Sequence, residues 1–133
     1  MYKKKPDLSR AARLFQEGLR KGDPEAAYAI ATWYLHGRYY RKNLRKAVKL
    51  LRQAAAGDNA AACFDLGVCY ETGAGVKRSE KAAAGCYVKG ALLGDTDSVY
   101  EVGRCYYWGL GVARDGRMAR VWFDRAEQLG VTE

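Results

Sequence analysis

The sequence predicts an all-α fold, a right-handed α-solenoid of stacked antiparallel helix pairs, with a half repeat and then three full repeats of about 36 residues. Three observations predict it. Shifting the frame by 36 residues aligns Tyr34, Tyr70 and Tyr106, then Gly37, Gly73 and Gly109, then Ala11, Ala47, Ala83 and Ala119. Asp7, Asn43, Ser79 and Asp115 recur at the same interval, and all are residue types whose side-chain oxygen caps a helix N-terminus. Nothing alternates with period two over a useful length, so no strand is expected.

Residues 1–6 form a basic, proline-containing lead-in that should be frayed. Behind each capping residue the same apolar spacing returns: Leu14 and Phe15, Leu50 and Leu51, Cys86 and Tyr87, Trp122 and Phe123. Four equivalent helices are therefore expected at about 8–21, 44–56, 80–93 and 116–129. Each ends at a glycine, namely Gly22, Gly57, Gly94 or Gly130, suited to the left-handed conformation that stops a helix. Asp23, Asp58 and Asp95 follow the first three and can cap the next helix, with Pro24 suited to N1. Three further helices fall at about 24–36, 60–72 and 96–108, giving seven in all. Their inward faces pair Ile30 with Tyr34, Leu66 with Tyr70 and Val102 with Tyr106 at i and i+4. Ala31, Gly67 and Gly103 sit beside them. A mid-helix glycine costs about 0.8–1 kcal/mol relative to alanine, so its recurrence implies close approach of the paired helix. If Tyr70 is buried as a core ring, Tyr70→Ala should cost about 3–5 kcal/mol.

The chain has 133 residues, read as one domain: a half repeat at 8–22 and repeats at 23–57, 58–94 and 95–130. No apolar run approaches the roughly 20 residues of a membrane span. The opening MYKKKPDLSR lacks the apolar stretch of a signal peptide. Cys63, Cys69, Cys86 and Cys105 show no C-x-x-C spacing, and His36 is the single histidine, so neither metal nor cofactor is expected. Cys69 and Cys105 share a repeat position with Trp33, which marks a buried apolar site. Core thiols imply a reducing, cytoplasmic compartment. Gly73–Gly75 and Gly109–Gly111 follow helices and lack a P-loop Lys-Ser/Thr, so they read as turns. With no catalytic constellation, an enzyme is not expected.

Two stretches carry a family resemblance. The first runs from Leu66-Gly67 through Tyr70 to Gly73-x-Gly75-Val76, then Ala83, Tyr87, Lys89 and Ala91. The second runs from Val102-Gly103 through Tyr106 to Gly109-x-Gly111-Val112 and Asp115, then Ala119, Trp122, Phe123 and Ala126. Together they resemble the Sel-one-like repeat family, a cousin of the tetratricopeptide repeat, over roughly residues 8–130. The first full copy departs from the pattern. It has Gly37-Arg38-Tyr39-Tyr40 in place of Gly-x-Gly-Val, which predicts a differently shaped loop, and it ends one residue early at Gly57. Some secreted members staple each helix pair with a disulfide. Cys63 matches one of those positions, but the partner position is Ala55, so the bridge cannot form.

The resemblance implies a protein-interaction module that presents a concave surface to a protein or peptide, as an adaptor or as a toxin-immunity protein. Carried over from tetratricopeptide arrays, that surface holds Tyr28, Thr32, Leu35 and His36, then Phe64, Val68, Glu71 and Thr72, then Tyr100, Arg104, Tyr107 and Trp108. Tyr28, Phe64 and Tyr100 would form an aromatic ladder suited to a binding hot spot; the same spacing also suits packing between neighbouring helices. Tyr107 and Trp108 are the better candidates for exposure. A second surface competes. Residues 26–57 hold seven basic residues and no acid, and so carry nearly all of the formal +8. Arg41, Lys42, Arg45, Lys46, Lys49 and Arg52 concentrate there, and from Lys42 onward their spacing puts them on one face of the helix at 44–56. This is the electrostatic footprint of a nucleic-acid or acidic-surface binder, or a solvated outer face kept soluble by charge. Salt dependence separates the two surfaces. The last helix has no successor, so its outer face near Trp122 and Phe123 must be polar or pair with another copy.

Overall fold

The computed structural model describes residues 7–131, so the basic lead-in lies outside the described residues. Seven helices of 13 residues each occupy that span, with no strand among the described residues. They are α1 (Leu8–Arg20), α2 (Pro24–His36), α3 (Leu44–Ala56), α4 (Ala60–Thr72), α5 (Glu80–Leu92), α6 (Thr96–Trp108) and α7 (Gly116–Gln128). Each packs on the next, and the result is an all-α repeat solenoid. Two layers alternate along the chain. The A helices are α2, α4 and α6; the B helices are α1, α3, α5 and α7.

The recurring cap residues explain where the B helices begin. Asp7, Asn43, Ser79 and Asp115 all have extended backbones, and each side chain accepts an N–H from the following first turn. Asp23 and Asp95 cap α2 and α6 in the same way. At α4 the expectation fails: Asn59, not Asp58, is the cap, and its Oδ1 accepts the Ala62 N–H at 2.8 Å. The reason lies one residue earlier. Gly22, Gly94 and Gly130 take the left-handed conformation at the end of their helices, and the residue in that register here is Asp58, at φ +66°. Gly57 has an ordinary φ of −90°; it is a glycine because a Cβ there would overlap the ring of Pro24.

The first long loop shares with the other two the bond from the B-helix cap N–H to the A-helix tyrosine carbonyl: Asn43 to Tyr34, Ser79 to Tyr70, Asp115 to Tyr106. It differs, as the sequence predicts, in a tight turn over Tyr39 in which the Tyr40 N–H donates to the Arg38 carbonyl at 2.6 Å. Tyr39 simply adopts the left-handed conformation (φ +63°) that Gly75 and Gly111 adopt at +72°. For a tyrosine this costs about 1–3 kcal/mol. Glycine is required in the later loops because a Cβ would strike the first-turn carbonyl of Leu44 or Glu80. At the equivalent place Tyr39 lines a groove with Ser9, Ala12 and Arg13 of α1. Tyr39 stays 51% exposed and rests on Trp33 and Tyr40, with ring centroids 5.5 and 4.9 Å away.

The core is one apolar seam in two clusters, around Leu51, Cys63 and Leu66 and around Tyr87, Val102 and Cys105. Trp33, Cys69 and Cys105 are buried at their shared repeat position. The mid-helix glycines mark close contacts. A Cβ at Gly67 would lie 2.6 Å from the Tyr87 ring, and one at Gly103 would lie 2.7 Å from the Phe123 ring. Tyr70 is half-buried rather than buried. It packs on both clusters while its hydroxyl accepts from Arg52 Nε and Nη2 at 3.2 and 2.9 Å. The cost of Tyr70→Ala accordingly falls toward about 2 kcal/mol. The open face of α7 is polar, but not where expected. Trp122 packs on the second cluster, and the uncovered surface carries Arg120, Asp124 and Glu127. Arg120 stands at the position where Ala12, Val48 and Ala84 are buried in the earlier B helices.

Candidate functional site

The A helices lie side by side, tied by polar side chains rather than by rings. Tyr28 Oη donates to Asp65 Oδ2 at 2.9 Å, joining α2 to α4. Arg104 Nη2 donates to both oxygens of Glu71 at 2.6 and 2.7 Å, joining α4 to α6, while its Nε donates to Glu101 at 2.8 Å. Tyr87 reaches in from α5 and donates to Glu71 at 2.9 Å. Burial alone would raise the Glu71 carboxyl, but the hydrogen bonds from Arg104 and Tyr87 outweigh it and hold its pKa below the ordinary value. Asp65 goes the other way: burial raises its pKa, against the hydrogen bond from Tyr28. The Tyr87 and Tyr28 hydroxyls are raised too, by burial and by the carboxylates that accept from them.

Tyr28, Phe64 and Tyr100 are all half-buried. Phe64 tilts onto Tyr87 at 5.9 Å and Tyr100 onto Phe123 at 5.4 Å, so each of these two rings meets the paired B helix of its own repeat. Thr32 and Thr72 hydroxyls donate to carbonyls of their own helices, Leu35 packs on the first core cluster, and His36 and Val68 are exposed. The third repeat differs. Tyr107 and Trp108 meet edge to face at 4.8 Å, and Trp108 is 64% exposed. With Tyr100, Arg104 and Phe123 they line a groove of about 510 Å³. A second groove of about 420 Å³ shares Tyr107 and Phe123 and continues onto α7. Sequence reasoning missed Phe123 as a lining residue and Asp65 and Glu101 as members of the polar network. The available signal was that Asp65 and Glu101 stand 36 residues apart, at one repeat position.

The basic residues of the first full repeat are less uniform than their spacing suggested. Arg41 and Lys42 precede the Asn43 cap and so lie outside α3. Arg52 is engaged with Tyr70, and Lys46 sits 5.5 Å above the Tyr34 ring. Arg41, Lys42, Arg45 and Lys49 are exposed, and none forms an ion pair among the described residues. Lys46 and Lys49 border a groove of about 350 Å³ floored by Leu19, Ile30, Tyr34 and Leu50.

The four thiols are unpaired; Cys63, Cys69 and Cys105 are buried and Cys86 is half-buried. Burial raises all four, pushing Cys86 and Cys105 up to about 11, which suppresses the thiolate a nucleophile needs. No group of His, Cys, Asp and Glu among the described residues could hold a metal ion. No helix among them is long and apolar enough to cross a membrane.

The sequence profile of the Sel1 repeat matches four times, over residues 2–23, 24–59, 60–95 and 96–131. No curated protein matches the chain. Among solved structures, a Sel1 repeat protein from Oxalobacter formigenes superposes with a TM-score of 0.85 at 27% identity, covering 93% of this chain and 51% of that one. The protein c5321, a protective antigen of uropathogenic Escherichia coli strains with an SLR fold, gives 0.89 at 30% identity, covering 93% and 27%. Cysteine rich protein B of Helicobacter pylori gives 0.68 at 25% identity, covering 93% and 94%. The chain thus spans about half of the first protein and about a quarter of the second. Sel1 repeats are generally protein-interaction modules, and proteins built from them are typically non-enzymatic scaffolds. With the repeat matched from end to end over seven regularly stacked helices, the chain belongs to the Sel1 repeat family.

Proposed function

We propose that the face formed by α2, α4 and α6 binds a protein or peptide partner, anchored at the Tyr107–Trp108 end. One observation carries this reading. Trp108 is 64% exposed beside a groove of about 510 Å³, although its repeat equivalents His36 and Thr72 show that the fold does not need an indole there. Exposed tryptophan and tyrosine at the mouth of a groove are hot-spot chemistry. The hydrogen-bonded A layer would hold the surface rigid, so docking would lose little conformational entropy. An adaptor and a toxin-immunity protein would both work this way.

The test is selection of binding peptides from a display library, followed by mapping on the isotope-labelled protein. Trp108→Ala and Tyr107→Ala should each weaken the selected peptides by about tenfold or more while leaving the helical circular dichroism unchanged. Peptides that bind both variants as tightly as wild type would remove the groove from the reading. A second reading, nucleic acid or an acidic surface bound through residues 41–52, is favoured by the exposed Arg41, Lys42, Arg45 and Lys49, which have no ion-pair partner among the described residues. Binding of that kind would fall steeply with salt and ignore the Trp108 variant.

A further inference from the structure

We infer that the A-helix face takes a cationic segment, whose lysine or arginine side chains meet the carboxylates on the first two turns of α4 and α6 while an apolar side chain enters the Tyr107–Trp108 groove. The inference rests on the reading of that face as the interaction surface. It comes from how charge is divided between the two layers. The B helices carry twelve lysines and arginines against four acids. The A helices reverse this, with five acids (Glu25, Asp65, Glu71, Asp97, Glu101) against Arg104 alone. A strongly basic chain thus presents one net-acidic face.

The acids are not spread evenly along that face. Arg104 occupies Glu71 and Glu101, whereas Glu25, Asp65 and Asp97 form no ion pair among the described residues. These three lie in the N-terminal halves of the A helices, beside the capping carboxylates Asp23 and Asp95. The C-terminal halves carry Leu35, Val68, Tyr107 and Trp108, and their charged residues Glu71 and Arg104 are paired with each other. The raised Asp65 carboxyl agrees with this arrangement: beyond burial, Asp95 pushes it up while His36 opposes. A cation brought to Asp65 would offset the repulsion from Asp95.

The opposite layer sharpens the selection rather than cancelling it. Its charges stand behind the A helices, and at physiological salt the Debye length is about 8 Å. A cationic segment approaching the B face meets Arg45, Lys46, Lys49 and Arg52 and is repelled, which leaves one orientation of docking. An anionic partner would be directed to the B face by the same rule.

Three synthetic peptides of equal length and apolar content, alternating leucine with lysine, glutamate or serine, make the test on isotope-labelled protein. The lysine peptide should shift the amide signals of the first two turns of α4 and α6. It should bind about tenfold tighter than the serine peptide and lose that advantage at high salt. Asp65→Asn/Asp97→Asn should abolish the preference for lysine while retaining the serine peptide's affinity. The failures separate. If the glutamate peptide binds the A helices as well as the lysine peptide does, the cationic inference is overturned and the interaction face stands. If peptides map to α3 and leave the A helices unshifted, both fall. A lysine peptide that shifts no A-helix signal up to about 1 mM also overturns the inference.

Discussion

Gly67→Ala in α4 puts the packing logic at its sharpest, because propensity and packing predict opposite signs. Replacing a mid-helix glycine by alanine normally stabilises a helix by about 0.8–1 kcal/mol. Here the new Cβ would stand 2.6 Å from Tyr87 Cε1 and 2.8 Å from Cδ1. The ring has no easy retreat: Tyr87 is 1% exposed and its hydroxyl is held by Glu71 at 2.9 Å. Overpacking of this kind costs about 1–3 kcal/mol, so after the propensity gain the net change should be a destabilisation of up to about 2 kcal/mol. The first full repeat supplies the control, since it places Ala31 and Leu51 in one buried cluster at the equivalent positions. Tyr87→Leu alone should destabilise, through loss of ring contacts and of the bond to Glu71. In that background Gly67→Ala should turn favourable by up to about 1 kcal/mol. The coupling energy from a double-mutant cycle in urea would then be about 1–3 kcal/mol. A stabilising Gly67→Ala in the wild-type background would refute the steric argument outright.

Three further outcomes follow from the polar and thiol groups. Glu71 has a folded pKa below its ordinary value of about 4.3, so its contribution is complete above that value and lost as pH falls through the folded pKa. Glu71→Gln should therefore flatten the acid limb of the stability–pH profile, and an unchanged limb would show that the Arg104–Tyr87 cluster does not act this way. Asp65 has the opposite sign. Its raised pKa means that any contribution is present at low pH and lost as pH rises through the folded value, so Asp65→Asn should stabilise the fold at neutral pH and less so near pH 3; a neutral or destabilising result by thermal melts at pH 7 would contradict it. Moving Cys86 and Cys105 from about 9 to about 11 lowers their thiolate fraction about a hundredfold, so labelling by an aromatic disulfide should be slow in the native protein and should track unfolding in urea. Fast labelling of Cys105 without unfolding would mean that the seam opens locally.

Most of the fold was legible because a repeat states each local rule several times. A lone Asp or Ser before an apolar run is a weak helix signal, but four cap formers at one interval set the frame for all seven helices. Two backbone expectations met their exceptions in the first full repeat, and both have the same cause. Glycine was read as the mark of a left-handed backbone. Yet Asp58 and Tyr39 take that conformation without it, and Gly57 is a glycine for lack of room beside Pro24. When the stack fixes the path of the chain, a residue can be held in a strained conformation that its type disfavours, and residue type stops reporting the backbone.

The candidate site was less legible because charge was counted along the chain while the fold sorts it across the chain. Residues 26–57 hold nearly all of the formal +8, and a linear tally therefore points to the helix at 44–56. Folding redistributes that tally every half repeat, alternately to one layer and the other. The acids of α4 show in a local window, since residues 53–76 hold Asp58, Asp65 and Glu71 and no base, but over the whole repeat at 58–94 Lys77, Arg78, Lys81 and Lys89 balance them. The aromatic end shows the same effect. Phe123 comes 15 residues after Trp108 in sequence, yet both line one groove, since α7 packs back on α6. Asp65 shows the same sorting: it accepts the Tyr28 hydroxyl at 2.9 Å across 37 residues of sequence, because α2 and α4 stand side by side in one layer.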